Sequence, residues 1–443
     1  MRDIAIGANV SMFHRFDFRK IKGVYYPKNE EEVVAAVDHA RRNGFTVTPK
    51  GGGSGFSAGC TGGNDERVMI SSLQMKEILK ISKKQGYIDV QPGITPDKIN
   101  KVLEPMGMRF RVTPSSRDVA TVGGIMSTDG GGNDAWVNGT MRDNTIHVKM
   151  VLYDGHLITV DWNGVKCDDP RIEDQLNEKN VSIHDMAGSH GTIGFITELR
   201  LAIKAENKEP LEGAIIEFDN HATLGKFVSK IIETKCPVKY SEAIMMVHED
   251  IREGLNPPLM LMQYPKGFDM ETYEPDVRRL DEQEIERLKE YRLKLARRNP
   301  KKGVMMALFE DYGIHDRSLA DVQHVVDEID SLVMRYGYEP FAKYGHAPSK
   351  WYLGDNSATY GLLMHCYEVR PEGRTSQETY QAVKEIVKLC DDLGMTPKPE
   401  HKWLYSDTVK KARIEEVRNV IGRGFNPFIF EPDCASDTLA SML

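Results

Sequence analysis

The part of this chain that most constrains its fold is a glycine-rich segment, residues 112–155, that runs into strand-like sequence. It contains Gly123-Gly124 and Gly130-Gly131-Gly132 among Ser and Thr residues. Glycine is the default residue where a backbone must take a positive φ or approach a ligand closely. Apolar residues on both sides of Asp154-Gly155 predict a β-hairpin at the end of the segment. A glycine-rich segment held between strands is better explained as a wall against an acceptor-rich ligand, such as a pyrophosphate, than as a linker.

A second glycine-rich segment, residues 49–59, follows a predicted strand–helix–strand unit. Asn29 is predicted to cap the helix, with Glu32 three residues on and Gly44 at its end. The segment lacks the Gly-Lys-Ser/Thr of a P-loop, and no helix pattern follows it, as a dinucleotide fingerprint would require. A strand over residues 67–71 is predicted there instead. From the residues alone, a diphosphate cradle and a plain wide turn both fit this segment.

Length and composition exclude several classes of protein. A chain of 443 residues predicts two or three domains, and its net charge of −8 argues against a general nucleic-acid surface. Apolar runs stay well short of the roughly 20 residues of a membrane span, and the N-terminus lacks a signal-peptide core. The six cysteines form no Cys-x-x-Cys pair, which argues against iron–sulfur clusters and zinc knuckles. We therefore expect a cytoplasmic protein, and leave peripheral membrane association open.

The second half of the chain is predicted to alternate strands and helices. A charged, Pro-bearing stretch near residues 204–210 marks the expected domain boundary. Residues 276–302 are predicted to form one long solvated helix, because they are heavily charged. Ser318 is predicted to cap a further helix, whose apolar positions recur at helical spacing.

Three blocks of sequence, taken together, resemble the FAD-binding domain of the vanillyl-alcohol oxidase / para-cresol methylhydroxylase (PCMH) superfamily. They are residues 49–59, residues 120–124 with 138–144 behind them, and residues 188–197. The resemblance implies an α+β fold. A two-subdomain FAD-binding PCMH-type domain would occupy residues 1–205. An α+β cap domain of the FAD-linked oxidase C-terminal type, which binds the substrate and ends in a helix and tail, would occupy residues 206–443.

The resemblance also implies which residues bind FAD. In the family the first block wraps the diphosphate, the second lies along the flavin and its phosphates, and the third contacts the adenine side. Some members attach FAD covalently through a His in the first block, where this chain has Ser54, so non-covalent FAD is implied. His190 stands where acidic or amide residues are usual, which leaves its role open. The implied FAD-binding residues are Lys50, Gly51, Gly52, Gly53, Ser54, Gly55, Ser57, Pro114, Ser115, Thr121, Gly123, Gly124, Ser127, Thr128 and Ile196.

Candidate catalytic residues cluster in the second half, at His346, His365, Glu400 and His401. Imidazoles and a carboxylate are ligands that a divalent metal such as zinc uses. A metal beside a flavin could hold a 2-hydroxy acid and lower the pKa of its hydroxyl group. A histidine could then take the hydroxyl proton while a hydride moves to the flavin. From the spacing alone, a metal site and a set of half-buried histidines are both compatible with the sequence.

These residues resemble motifs of the D-lactate, D-2-hydroxyglutarate and glycolate dehydrogenase branch, Gly-His-x-Gly-Asp-Gly-Asn-x-His and Ser-Gly-Glu-His-Gly. The resemblance implies His346, His365 and Glu400 as ligands of Zn or Mn, and His401 as the catalytic base. There are departures. The two ligand histidines lie nineteen positions apart (365 − 346) instead of the motif's seven, and Pro399 replaces a glycine. A metal-free site in which His346 and His401 act alone therefore stays open.

The expected function is oxidation of a 2-hydroxy acid, of the D form, to the 2-oxo acid with reduction of FAD. Arg109, Arg111 and Lys343 are the candidate cations for the substrate carboxylate. The electron acceptor is open between oxygen, a quinone and a partner protein, and a homo-oligomer is one expected state. Two alternatives remain: a sugar-alcohol or aldonolactone oxidoreductase of the same superfamily, which would need no metal, and a flavoprotein subunit of an electron-transfer complex.

Overall fold

The computed structural model describes residues 20–55, 59–60, 65–132, 134–206, 209–274, 276–295, 304–370, 376–397 and 408–425. Its strands are β1 (Ile21–Tyr25), β2 (Thr46–Lys50), β3 (Arg67–Ser71), β4 (Ile78–Ser82), β5 (Tyr87–Val90), β6 (Met108–Arg109), β7 (Thr145–Val151), β8 (Leu157–Asp161), β9 (Val165–Cys167), β10 (Phe195–Ala202), β11 (Lys204–Ala205), β12 (Leu211–Glu217), β13 (Tyr240–Val247), β14 (Leu259–Pro265), β15 (Val277–Leu280), β16 (Val304–Ile314), β17 (Glu339–Tyr352), β18 (Ala358–Arg370) and β19 (Thr396–Pro397).

Its α-helices are α1 (Glu30–Arg42), α2 (Pro96–Leu103), α3 (Val122–Thr128), α4 (Ala135–Asn138), α5 (Pro170–Glu178), α6 (Ile183–Met186), α7 (His221–Glu233), α8 (Glu282–Leu295), α9 (Asp316–Ala320), α10 (Val322–Arg335), α11 (Ser376–Asp392) and α12 (Thr408–Ile421). No helix among these residues is long and apolar enough to cross a membrane.

The N-terminal half is built on two sheets. A parallel sheet has the strand order β1-β3-β2, with α1 as the crossover between β1 and β2. The predicted helix start is confirmed, because the Asn29 side chain accepts a hydrogen bond of 2.9 Å from the Glu32 N–H. The second sheet is antiparallel, in the order β4-β5-β10-β7-β8-β9. Val37 of α1, Ile70 of β3 and Phe195 of β10 are buried in one apolar cluster, which joins the two sheets.

The C-terminal half is built on one eight-stranded antiparallel sheet, in the order β15-β12-β14-β13-β17-β18-β16-β19. One face buries apolar side chains of α7, α10 and α11, among them Phe227, Val326 and Ile386. The other face packs against α8 through Ile285 and Leu288. The α+β class expected from the sequence is thereby confirmed.

The glycine-rich central segment is not the continuous loop that the sequence suggested. Residues 122–128 form α3, and the Thr121 hydroxyl caps it by accepting a 3.4 Å hydrogen bond from the Gly124 N–H. The helix packs closely on Pro92 because Gly123 has no side chain. A Cβ added at Gly123 would lie 2.6 Å from Pro92 Cβ. The segment therefore combines loop and helix.

Two predicted helices of the C-terminal half were wrong in their bounds. The charged stretch from residue 276 begins as an edge strand, β15, and α8 starts only at Glu282. Ser318 lies inside α9, where its hydroxyl accepts from the His315 N–H at 3.0 Å, so it caps nothing of α10. The cap of α10 is Asp321, which accepts from the His324 N–H. Several residues here have cap chemistry, and tertiary packing decides which of them is used.

Residues 408–425 return to the N-terminal half. Val417 and Ile421 of α12 are buried in the core of the six-stranded sheet. Beyond the helix, the Val47 N–H donates to the Gly424 carbonyl at 2.7 Å. Phe425 is 1% exposed and meets the Tyr153 ring edge-on at a centroid distance of 6.2 Å. The chain therefore leaves the N-terminal half at the start of β12 and packs against it again over residues 417–425, the last that the structure describes.

We expect Phe425→Ala to lower the free energy of unfolding by about 3–5 kcal/mol, because it removes a fully buried ring from the cluster around α1. Urea unfolding followed by tryptophan fluorescence measures the change. Val409→Ala is the matched control on the same segment, since Val409 is 55% exposed, and should change the value by no more than about 0.5 kcal/mol. Equal losses in the two variants would contradict the anchoring of this end.

Candidate functional site

The first two glycine-rich blocks touch each other. Lys50 ends β2 with a buried side chain, and the loop that follows runs along the start of α3. A Cβ added at Gly51 would lie 2.3 Å from Thr121 Oγ1, and one at Gly52 would lie 2.0 Å from the Val119 carbonyl oxygen. Real side chains do not fit at such distances. These two positions therefore require glycine.

The third block docks onto the other two. The His190 N–H donates to the Ser127 carbonyl at 2.7 Å, and the Gly188 N–H donates to the Met126 carbonyl at 3.2 Å. A Cβ added at Gly191 would approach the Pro49 ring at 3.2 Å. Three segments far apart in sequence therefore converge on one place.

The remaining predicted FAD-binding residues are distributed around this convergence. Gly53 has a φ of +68°, a conformation that favours glycine, and Ser54 and Gly55 continue the loop. The Ser127 and Thr128 hydroxyls donate within α3, to the Gly123 and Gly124 carbonyls at 2.8 and 3.2 Å. Three more residues lie in neighbouring segments: buried Pro114, exposed Ser115, and buried Ile196 in β10. Ser57 lies outside the described residues.

A second cluster lies on the α8-facing side of the eight-stranded sheet. It consists of Glu242 on β13, Arg292 on α8, and Tyr344, His346 and His365 on the β17–β18 hairpin. The antiparallel register places Tyr344 opposite His365. Because side chains alternate between the faces of a sheet, His346 shares a face with both of them. The imidazole rings of His346 and His365 lie edge-on, with centroids 5.7 Å apart.

A fully buried carboxylate is at the centre of this cluster. Glu242 Oε1 lies 3.1 Å from His346 Nδ1, and Glu242 Oε2 lies 2.9 Å from Arg292 Nε. Burial alone would raise the pKa of Glu242, but the charge of Arg292 and the contact with His346 outweigh it and hold the pKa below its ordinary value. The carboxylate also raises the pKa of Arg292, against the effect of burial.

The arrangement assigns the proton on His346. An ionised carboxylate can only accept a hydrogen bond, so His346 Nδ1 is the donor and Nε2 carries the lone pair that can accept a proton. Glu242 orients the ring and would stabilise the imidazolium form. A buried carboxylate–histidine pair of this kind can act as a general base.

The predicted metal site is described only in part. His346 and His365 are near neighbours, whereas Glu400 and His401 lie outside the described residues. Within the part of the chain that the structure describes, three ligand atoms close enough to share an ion occur at Asp89, His147 and Glu198 instead. At that place Arg200 already binds both oxygens of Asp89, at 2.6 and 2.8 Å. In the C-terminal half, Glu242 is likewise occupied by Arg292, and the described residues there form no group of three such ligand atoms.

The three cations proposed for the substrate carboxylate lie elsewhere. Lys343 pairs with Asp330 of α10, on the sheet face opposite His346. Arg109 lies 3.6 Å from Glu206, and Arg111 donates to the Ala205 carbonyl. All three are held by partners outside the cluster.

Sequence reasoning missed Arg292 and Glu242. A signal for Arg292 was present: Ile285, Leu288 and Arg292 recur at i, i+3 and i+7, which is the buried face of α8. For Glu242 the signal was a single carboxylate in an otherwise apolar strand.

The N-terminal part of the chain matches a known family of domains. The family model described as FAD binding domain matches residues 21–161. The chain is 30% identical to a D-lactate dehydrogenase of Archaeoglobus fulgidus over 181 residues, 41% of this chain and 38% of the relative. It is 27% identical to glycolate oxidase subunit GlcD of Bacillus subtilis over 218 residues, 48% of this chain and 43% of the relative. The match to each relative thus spans less than half of its length.

A solved structure shares the fold over most of the chain. The alkyldihydroxyacetonephosphate synthase structure aligns with a TM-score of 0.64 and 15% identity, over 90% of this chain and 76% of that one. At this identity the likeness shows the fold alone. Residues 21–161 are therefore an FAD-binding domain.

Proposed function

We propose that this chain is an FAD-dependent oxidoreductase that oxidises a 2-hydroxy acid to the corresponding 2-oxo acid. The observation that carries the proposal is the buried Glu242–His346 pair in the cap of a chain whose N-terminal half is an FAD-binding domain. The names of the relatives support the substrate class, since they include D-lactate dehydrogenase and glycolate oxidase. A relative named D-2-hydroxyglutarate dehydrogenase, of Escherichia coli, is 29% identical over 227 residues, 22% of its length.

Oxidation of an alcohol carbon removes a hydride and a proton. FAD, when bound, supplies a ring that accepts the hydride. His346 Nε2 is the group that would take the hydroxyl proton, because its Nδ1 is already committed to Glu242. Glu242 would then stabilise the imidazolium. His401, the base implied by family resemblance, stays a prediction, as do a divalent metal and its ligand Glu400.

The charges of the cluster favour an acid as substrate. With His346 neutral, the charges of Glu242 and Arg292 cancel. When His346 takes a proton, the cluster gains a net charge of +1. A nearby substrate carboxylate would be attracted most strongly at that stage, in a site where burial lowers the effective dielectric constant. A neutral sugar alcohol would gain nothing from this change.

The FAD loop is proposed to depend on its close contact with α3. We expect Gly52→Ala to purify with less than a tenth of the wild-type flavin, because its Cβ would meet the Val119 carbonyl at 2.0 Å. Gly23→Ala in β1, outside the three blocks, is the matched control, since a Cβ at Gly23 would meet nothing nearer than the Tyr25 side chain, at 3.3 Å. The ratio of absorbance at about 450 and 280 nm measures bound flavin. Equal flavin content in the two variants would show that the loop is wrongly assigned.

We expect His346→Asn to keep FAD bound and to slow flavin reduction by substrate about 10²–10⁴-fold, the range for loss of a general base. Rapid-mixing absorbance under anaerobic conditions gives the rate. His324→Asn, an exposed histidine on α10, controls for the substitution itself. A rate within a factor of two of wild type would remove His346 from the proposed role.

The substrate class is tested by mixing the anaerobic holoprotein with D-lactate, L-lactate and glycolate in turn. We expect D-lactate or glycolate to bleach the flavin spectrum, and L-lactate to leave it unchanged. Bleaching by sugar alcohols or aldonolactones alone would favour that alternative. A flavoprotein that none of these compounds bleaches would point to the subunit of an electron-transfer complex and overturn the proposed reaction.

A further inference from the structure

We propose that Arg142 and Asp143 are positioning residues for the oxidation. They bind the tip of the β17–β18 hairpin and thereby set where His346 stands relative to α3. We call their surroundings the hairpin-docking site, which consists of Asp129, Arg142, Asp143 and His184. The inference rests on the proposed function, because it concerns the placement of the same base.

The hairpin runs from the cluster to its tip as two paired strands, with one break in register between His346 and Ser349. His346 and His365 lie near its middle. Beyond them, pairing continues from Ser349 opposite Gly361 to Tyr352 opposite Ala358. The turn closes with a 3.0 Å hydrogen bond from the Leu353 N–H to the Ser357 carbonyl.

Arg142 connects the tip to α3. Its side chain is 1% exposed. Nε donates to Asp129 Oδ2 at 2.5 Å, and Asp129 is the residue that ends α3. Nη1 donates to Asn356 Oδ1 at 3.0 Å, and the guanidinium lies 4.1 Å from the centre of the Tyr352 ring. One buried side chain therefore contacts both the end of α3 and the tip of the hairpin.

His184 completes the environment of Arg142. Its Nδ1 lies 3.2 Å from Arg142 Nη1. Because a guanidinium only donates, Nδ1 is the acceptor and the imidazole is neutral. Burial and the charge of Arg142 both lower the pKa of His184, in agreement with this state.

Asp143 holds the tip from the other side. Its Oδ1 accepts from the Tyr352 hydroxyl at 2.5 Å and from Lys350 Nζ at 2.9 Å. Its Oδ2 accepts from the Thr140 N–H at 2.8 Å. Burial would raise the pKa of Asp143, but the bonds from Tyr352 and Lys350 lower it overall. Burial, followed by the bond to the carboxylate, raises the pKa of Tyr352 to about 12.

The docked position is strongly preferred over displaced ones. Displacing the tip would remove Asn356 and Tyr352 from a buried guanidinium, and two donors from Asp143. Charges that lose their partners in a buried setting are costly. Tyr352 and His346 are six residues apart (352 − 346), or about 20 Å of strand at roughly 3.3 Å per residue. Because the two strands are paired on both sides of His346, the position of the tip constrains the position of His346.

The same site anchors the other flank of the cap. Lys410 Nζ of α12 donates to the His184 carbonyl at 2.7 Å, and Arg413 Nε donates to Asp185 Oδ1 at 2.7 Å. α12 follows directly after the segment that carries His401, which lies outside the described residues. The hairpin and the start of α12 therefore meet the FAD-binding half at one place.

The test removes the donors to Asp143 and leaves the FAD loop untouched. The double variant Lys350→Met/Tyr352→Phe loses both side-chain bonds to Asp143. Ser357→Ala is the matched control at the same tip, because among the described residues Ser357 bonds with Asp355 and Leu353 of its own turn. Three quantities are measured on the holoprotein: FAD content, the limiting rate and apparent Kd of anaerobic flavin reduction by D-lactate, and amide hydrogen exchange of residues 345–357.

We expect the double variant to keep its FAD, and dithionite should still reduce that flavin. The limiting rate of flavin reduction by D-lactate should fall about 10–100-fold with little change in the apparent Kd. Amide hydrogens of residues 345–357 should exchange faster. Tyr352→Phe alone keeps the bond from Lys350 to Asp143 and should recover most of the rate. Unchanged rate and exchange, or a rate loss that parallels FAD loss, would overturn the inference. If D-lactate, glycolate and L-lactate all fail to reduce the wild type, the proposed function fails, and the exchange result alone decides the docking.

Discussion

The N-terminal half depends on one close approach between backbones. Gly51 and Gly52 pass the start of α3 at distances that leave no room for a side chain. This contact places the loop and the helix side by side, so that their backbone N–H groups and small hydroxyl groups can form one surface. Such a surface suits a diphosphate. The docking of residues 188–191 on the same helix extends that surface. Both sheets of this half are arranged to bring these segments together.

The eight-stranded sheet applies a different principle, a buried charge whose partners come from two other elements. Glu242 on β13, Arg292 on α8 and His346 on β17 satisfy one another inside an otherwise apolar sheet face. Removing one partner from a group of this kind leaves an uncompensated buried charge, at a cost of about 3–5 kcal/mol. Such groups are retained more readily for function than for stability. The structure therefore joins a backbone-lined loop surface in one half to a charged side-chain cluster in the other.

The sequence predicted what is encoded locally. The cap at Asn29 and the strand after the first glycine block each depend on neighbours within a few residues, and both are confirmed. The α+β class follows from the same local patterns. It also follows from the order of three motif blocks.

Tertiary contacts decided what the sequence could not. Ser318 and Asp321 both have cap chemistry, and packing determined that Asp321 caps α10. Arg292 reads as one charge among many on a charged helix, and only the fold places it against Glu242, fifty positions earlier (292 − 242). Likewise, Arg142 is an ordinary charged residue of the second block until the hairpin tip docks on it.

The proposed function depends most directly on FAD being held without a covalent bond by the three converging blocks. The decisive measurement is acid precipitation of the purified, yellow protein, followed by identification of the flavin in the supernatant and the pellet. We predict FAD in the supernatant, at about one molecule per chain, because Ser54 offers no imidazole for covalent attachment. Flavin that stays with the pellet, or a protein that contains no flavin and takes up none when FAD is added, would contradict it.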